Sequence, residues 1–333
     1  MAVKARGILP QRQKGFATLR FVVGGQLTVE QMRKLADLAR REGKEMVLTT
    51  MRKTVELPWI RLEKVPEVLA ECKGVGLKPG STGMRTIKAV LPCAATYRCA
   101  FEATDVMGLY DKVATRYFGR DAPAKFKISI SGCPNYCMHP YLNDIGIVGR
   151  VHPRINLDKC IACGQCARLC RGEAITQKTE EYPASPLPTK AWEEAMEMNR
   201  APVFDATTPL DAIILDEKGL PHIDYDKCID CGLCVRNCPT DAIEVERSGF
   251  TVMVGGRGGR RARFGDEIVR IASEEELFTI LDRTLAYHKK FAQGRERLPD
   301  AIERLGLEHY KGHALQGLEL DGKQCSVMKA RSG

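Results

Sequence analysis

No stretch of this chain approaches the roughly 18 consecutive apolar residues that a membrane-crossing helix needs. Its opening residues, MAVKARGILPQRQKG, lack the apolar core of a secretory signal. Both absences predict a cytoplasmic protein with no membrane partner, in a compartment that keeps thiols reduced. No nucleic-acid recognition motif accompanies the net charge of +9. The basic balance therefore predicts no nucleic acid as partner, and bound anions are the simpler use of it. A disulfide-stapled secreted scaffold does not fit either, because 333 residues bury a large core in two or three domains. These exclusions leave 14 cysteines to be explained.

All but Cys72 and Cys325 fall into compact motifs. Cys93 and Cys99 form C-x5-C in LPCAATYRC, and Cys133 and Cys137 form C-x3-C in ISGCPNYC. Zinc knuckles favour shorter pairs or a closing His pair. Two close pairs separated by folded chain suit four thiolates on one iron–sulfur cube. Further on, Cys160, Cys163, Cys166 and Cys170 form C-x2-C-x2-C-x3-C, and Cys228, Cys231, Cys234 and Cys238 repeat it before Pro239. This is the bacterial ferredoxin run, in which the fourth cysteine ligates the other cluster. It groups Cys160, Cys163, Cys166 and Cys238 on one 4Fe–4S cluster and Cys228, Cys231, Cys234 and Cys170 on a second. Arg171 stands where the pattern has Pro, and residues 171–227 separate the runs. Residues 176–222 are thus read as an insertion that either docks an electron donor or packs against the main domain.

The surrounding pattern is α+β. Residues 16–24 read as a strand, Thr28 and Gln31 as a capping box before a helix carrying Met32, Leu35, Leu38 and Ala39, and Val47 to Leu57 as the next strand. With a second helix around Pro66, residues 1–80 predict a ferredoxin-like unit, the term here describing topology. Residues 81–150 carry the first cysteine motif and are expected to continue at 248–295 as one discontinuous domain. The dense cysteine block at 151–247 is inserted into it, and the polar residues 296–333 predict a surface extension. Before Cys133, Phe126, Ile128 and Ile130 alternate with Lys125, Lys127, Ser129 and Ser131, the period of a strand. Two lysines on a strand are by themselves most simply a solvated face.

Taken together, the ferredoxin-like start, the two cysteine pairs, NDIGIVG at 143–149 and VGGRGG at 254–259 resemble the sulfite and nitrite reductase family. Within it, the anaerobic and dissimilatory-type sulfite reductases resemble the chain most. The resemblance implies a sulfite reductase siroheme domain with an inserted ferredoxin domain. It also implies siroheme and three 4Fe–4S clusters, with Cys93, Cys99, Cys133 and Cys137 as ligands of the catalytic cluster and Cys137 as the sulfur shared with siroheme iron. Lys125 and Lys127 resemble the family's substrate-binding lysines. Arg52, placed on a strand face with Thr50 and Thr54, and Arg85 resemble its anion-binding arginines. Arg257, Arg260, Arg261 and Arg263 form a basic loop suited to siroheme carboxylates, whereas His139 and His152 are read as structural. The implied activity is six-electron reduction of sulfite to sulfide, with electrons relayed through the ferredoxin clusters. Nitrite reduction to ammonia, or a non-catalytic electron-transfer or siroheme-carrying subunit, are the alternatives. Larger family members contain two homologous halves and this chain has one. It is therefore expected to pair with itself or a sibling subunit, besides meeting an electron-donor protein.

Overall fold

The computed structural model describes residues 7–80, 82–94, 99–170, 213–215 and 220–320. Two sheets organise them. In the first unit, β1 (Ile8–Pro10), β2 (Phe16–Val22), β4 (Thr54–Arg61) and β3 (Leu48–Thr49) lie in that order, and β5 (Lys78–Pro79) pairs with β2. Helices α1 (Val29–Arg41) and α2 (Val65–Gly74) cover one face. The Thr28–Gln31 capping box starts α1, and Leu35, Leu38 and Ala39 turn inward. They meet Leu19, Phe21, Leu57 and Ile60 in a core that also holds Cys72. Burial pushes the Cys72 thiol up to about 12, as suits an inert core residue.

The second sheet positions the site. Its order is β12 (Asp266–Ala272), β11 (Ile243–Val254), β8 (Ile145–Ile155), β7 (Phe126–Ser131), β6 (Ile87–Pro92). β6, β7 and β8 run parallel, while β11 pairs antiparallel with both β8 and β12. A parallel neighbour needs a crossover, and α3 (Val106–Tyr117), capped by Asp105, supplies it between β6 and β7. Phe126, Ile128, Ile130, Ile145, Ile147, Val252 and Val254 fill the core beneath α3 and α6 (Glu274–Phe291). Lys127, Ser129 and Ser131 therefore occupy the opposite face of β7, in keeping with the period of two. Between β8 and β11 the chain includes two short helices, α4 (Gln165–Leu169) and α5 (Leu233–Arg236), and the two-stranded β9 (Ile213–Leu215) and β10 (Pro221–Ile223).

Two expectations are corrected. The strand expected over Val47 to Leu57 is a hairpin, β3 and β4 joined by a turn in which Lys53 is left-handed (φ 54). Thr50 and Thr54 face each other across it (Oγ1···Oγ1 2.6 Å), so Arg52 sits at the turn and not on a strand. The predicted surface extension instead begins with α7 (Leu298–Leu305) and α8 (Leu307–Ala314). Their Leu298, Ile302, Tyr310 and Ala314 are buried in the main core. Helices with scattered charge still bury a narrow apolar stripe, which composition alone conceals. The expected insertion at 176–222 lies largely outside the described residues.

Candidate functional site

Parallel pairing brings the first cysteine motif together. Pro92 of β6 stands opposite Ile130 of β7, so both strands end at one place. Cys93 N–H donates to the Ile130 carbonyl at 2.8 Å, and Gly132 N–H points at Cys93 Sγ at 3.3 Å. Beyond β7, a tight loop with Tyr136 left-handed (φ 54) folds Cys137 back, and Asn135 Nδ2 donates to Cys137 Sγ at 3.5 Å. Cys93 and Cys133 are buried and Cys137 is exposed. Burial pushes the Cys133 thiol up to about 11, with Cys99, Cys137 and Cys93 each adding to it. Four free thiols thus lie within electrostatic reach of one another, and N–H groups aimed at sulfur favour the thiolate form. Among the described residues, no group of three or more His, Cys, Asp or Glu is arranged to hold a single metal ion. An all-thiolate donor set with no His or carboxylate among the four is the kind of set a four-iron cube takes. The exposed Cys137 leaves its sulfur open toward a second metal.

The two ferredoxin-type runs are conformational copies. Ala162 and Gly164 are left-handed, as are Asp230 and Gly232 at the matching places. Ala162 N–H donates to Cys160 Sγ and Asp230 N–H to Cys228 Sγ, both at 3.4 Å. Cys160, Cys163, Cys166 and Cys238 line one open cavity, together with Ile161 and Ile243. In the other run burial raises the Cys234 thiol, and Cys231, Cys228, Cys170 and, from the first set, Cys166 add to that rise. Cys238 lines the cavity of the first run, Cys170 acts on Cys228 as well as on Cys234, and cysteines of both runs pack around a small shared core of Ala167, Ile223 and Ile243.

At the other end of β7 cations gather. Burial first, and then Arg52, Lys125, Lys127 and Arg20, lower the Lys88 ammonium to about 8. Lys127 is also lowered, chiefly by burial, with Asp144 opposing. Arg52 is lowered by burial and then by Arg20. Among the described residues, no carboxylate lies within ion-pair distance of Arg52, Lys88, Lys125 or Lys127, whereas Arg20 pairs with Glu56. The fully buried Asp144 accepts Lys127 N–H at 3.0 Å and two 2.8 Å bonds from Arg297 Nη2, fixing the strand that carries the lysines. On the same face, Ser129 Oγ is buried without a hydrogen-bond partner.

Lys88 was not expected from the sequence. One lysine in TIKAV carries no signal until β6 pairs with β7 and sets Ala89 opposite Lys127. Arg85, three residues earlier, is exposed. In the basic loop Arg257 bonds to Asp300, and Arg263 pairs with Asp266 (2.8 Å) and Glu303 (3.1 Å). Arg260 and Arg261 are exposed and available to a polycarboxylate. His152 bonds to Asp230 at 2.7 Å and His139 to Tyr141 at 3.0 Å.

The cation group and the cysteine loop are kept apart. Lys127 and Ser131 are separated by ~13 Å at ~3.3 Å per residue. The segment after Cys137 returns across this face between them. Met138 N–H donates to Ser131 Oγ at 3.3 Å, and a Cβ on Gly146 would lie 2.4 Å from the Pro140 carbonyl oxygen. Asn143 holds that segment through the Met138 and His139 carbonyls.

Residues 83–319 match the family described as the nitrite and sulphite reductase 4Fe-4S domain, and residues 9–75 match the nitrite/sulfite reductase ferredoxin-like half domain. The coenzyme F420-dependent sulfite reductase of Methanocaldococcus jannaschii is 30% identical over 87% of this chain, which spans 40% of that protein. One of the subunits of the anaerobic sulfite reductase of Salmonella typhimurium is 27% identical over 46% of this chain and 49% of its own. The chain thus spans less than half the length of these two relatives. Among solved structures, dissimilatory sulfite reductase I shares the fold, with a TM-score of 0.68 and 16% identity over 96% of this chain and 72% of that one.

Proposed function

The chain belongs to the nitrite and sulphite reductase family, whose members hold siroheme against a 4Fe–4S cluster, and from that premise we propose that it reduces sulfite to sulfide. The observation that carries the reading is the crowd of cations around Lys88, Arg52, Lys125 and Lys127, which has no described carboxylate within ion-pair distance, while Asp144 and Glu56 act on Lys127 and Arg52 from further off. Like charges held together in a half-buried site await an anion. Siroheme and its cluster would supply six electrons, one at a time, to the bound anion. Arg52 offers two parallel N–H donors to its oxygens. Lys125 and Lys127 place positive charge where S–O bonds break. Lys88, lowered to about 8, is suited to holding and releasing a proton there. Cys93, Cys99, Cys133 and Cys137 would hold the catalytic cluster, with Cys137 facing siroheme and Arg260 and Arg261 its carboxylates. The two ferredoxin-type sets would hold two further clusters and receive electrons from a donor protein.

The separation of cations from Cys137 across the Met138–Asn143 segment supports a site shared between chains. One subunit would give the thiolate and its neighbour, a second copy or a sibling subunit, would give the cations. Nitrite is the rival substrate, since the family description names both anions, and turnover rates with each anion separate them. The basic group speaks against a subunit without turnover. The test is an absorption spectrum of anaerobically purified protein with metal analysis. A siroheme band and about 13 irons, three cubes plus one haem iron, are expected. Four or eight irons without haem would overturn the proposal in favour of an accessory subunit.

A further inference from the structure

The two ferredoxin-type cysteine sets stand in different relations to the first motif. Arg236, at the end of α5, spans from one to the other. Its Nη1 donates to the Ala100 carbonyl at 2.7 Å, and its Nη2 to the carbonyls of Phe101 (3.2 Å) and Cys231 (3.3 Å). One guanidinium thus joins Cys231 to the residues that follow Cys99. Arg150 makes a second, independent bridge. It is buried at 3% exposure, and its Nη1 donates to the Ile229 carbonyl at 2.6 Å while its Nη2 donates to the Tyr136 hydroxyl at 2.9 Å. Ile229 follows Cys228, and Tyr136 lies between Cys133 and Cys137. Arg150 Nε is anchored on Thr251 at 2.7 Å, and Val151 N–H donates to the Asp230 carbonyl at 2.8 Å. The loop of Cys228–Cys234 is therefore clamped on the sheet beside the first motif. The cavity of the other set is walled by residues 160–166, 221 and 238–243, none of them from the 93–137 motif, and its Cys163 is exposed.

We infer that the Cys228, Cys231, Cys234 and Cys170 set is the proximal relay to the catalytic cluster, that the Cys160, Cys163, Cys166 and Cys238 set is the distal entry, and that Arg150 and Arg236 are the positioning residues that couple proximal to catalytic. This rests on the cluster assignment proposed above. A cube with four thiolates is an anion, so two cubes held side by side repel. A guanidinium that joins their loops fixes their spacing, and its charge, partly met at Arg150 by Glu267 at 3.7 Å, offsets part of that repulsion. A one-electron step along this route oxidises one cluster and reduces the next, transfers no atom, and draws on an external low-potential one-electron donor.

The test uses anaerobic holoprotein and dithionite as the reductant, with electron paramagnetic resonance as the readout. Cys160→Ser removes the distal cluster, and Cys228→Ser the proximal one. Expected is a signal from the remaining ferredoxin-type cluster that is broadened by the siroheme side in Cys160→Ser and narrow in Cys228→Ser. The reverse pattern overturns the order. Arg150→Gln with Arg236→Gln keeps all cysteines and carries the test if either serine variant fails to fold. Iron content and the siroheme band should stay at wild-type levels while the broadening is lost, and using Arg236→Lys in place of Arg236→Gln should restore part of it. Broadening that persists in the double variant overturns the coupling role. Wild-type protein without the siroheme band or without ferredoxin-type signals would instead count against the proposed function, so the two failures are distinguishable.

Discussion

The two ends of β7 grow from one strand and carry opposite chemistry. Lys125 and Lys127 stand at its start, joined by Lys88 from β6 and Arg52 from the β3–β4 turn. Cys133 and Cys137 follow its end, joined by Cys93 from the same β6. The cation end is built by side chains that crowd against one another, and the thiol end by backbone N–H groups and tight left-handed turns. Burial acts on both with the same sign of penalty. It lowers Lys88 and Lys127 and raises Cys133, so each end suits a partner of opposite charge, an anion at one and a metal at the other. On the proposed shared site, one chain would present two half-sites, as a pairing of homologous halves requires.

Changes at the thiol end should have the largest effect. Cys133→Ser is expected to remove the siroheme–cluster spectrum and all turnover together, and a retained band with normal activity would break the contrast. At the cation end, spectrum and turnover should part company. Lys125→Ala with Lys127→Ala should leave the band intact and lower sulfite turnover by about 10²–10³-fold, the scale of a lost charge-stabilising contact. Undiminished turnover removes the assigned role.

Lys88 sharpens the comparison through pH. Its ammonium is depressed from the ordinary 10.5 to about 8, so it is charged below that value and neutral above it. Sulfite affinity should therefore fall as pH rises through about 8. Lys88→Arg, charged throughout, should flatten that fall when binding is followed by titrating the haem spectrum. A profile unchanged by the substitution would count against Lys88. Arg85→Ala should matter least, within about 0.5 kcal/mol in stability and with little change in turnover, because the side chain is exposed. A loss matching that of the lysine pair would return Arg85 to the site.

The cysteine motifs are legible because ligand spacing is a local property, and the proposed crossing of Cys170 and Cys238 rests on that pattern. The alternation around Lys127 was legible for the same reason, since a strand reverses face at every residue. Lys88 was hidden because its meaning depends on a parallel neighbour 39 residues away in sequence, Lys127. TTMRKTVEL is rich in strand formers and so reads as strand throughout, whereas the turn at Arg52 depends on a left-handed Lys53 that no glycine announces. The C-terminal helices were missed because Leu298, Ile302, Tyr310 and Ala314 are few among charged residues. Arg297 and Asp144, whose bidentate contact supports the lysine strand, are 153 residues apart and gave no local sign.

At the centre of this picture, one active site is proposed to take its thiolate from one chain and its cations from another. The direct measurement co-expresses Cys137→Ser chains with Lys125→Ala/Lys127→Ala chains and compares sulfite turnover with each variant alone, while native mass spectrometry reports the mixed oligomer. Two inactive parents that regain turnover only in the mixed assembly is the predicted result. Mixed oligomers as inactive as both parents would contradict it.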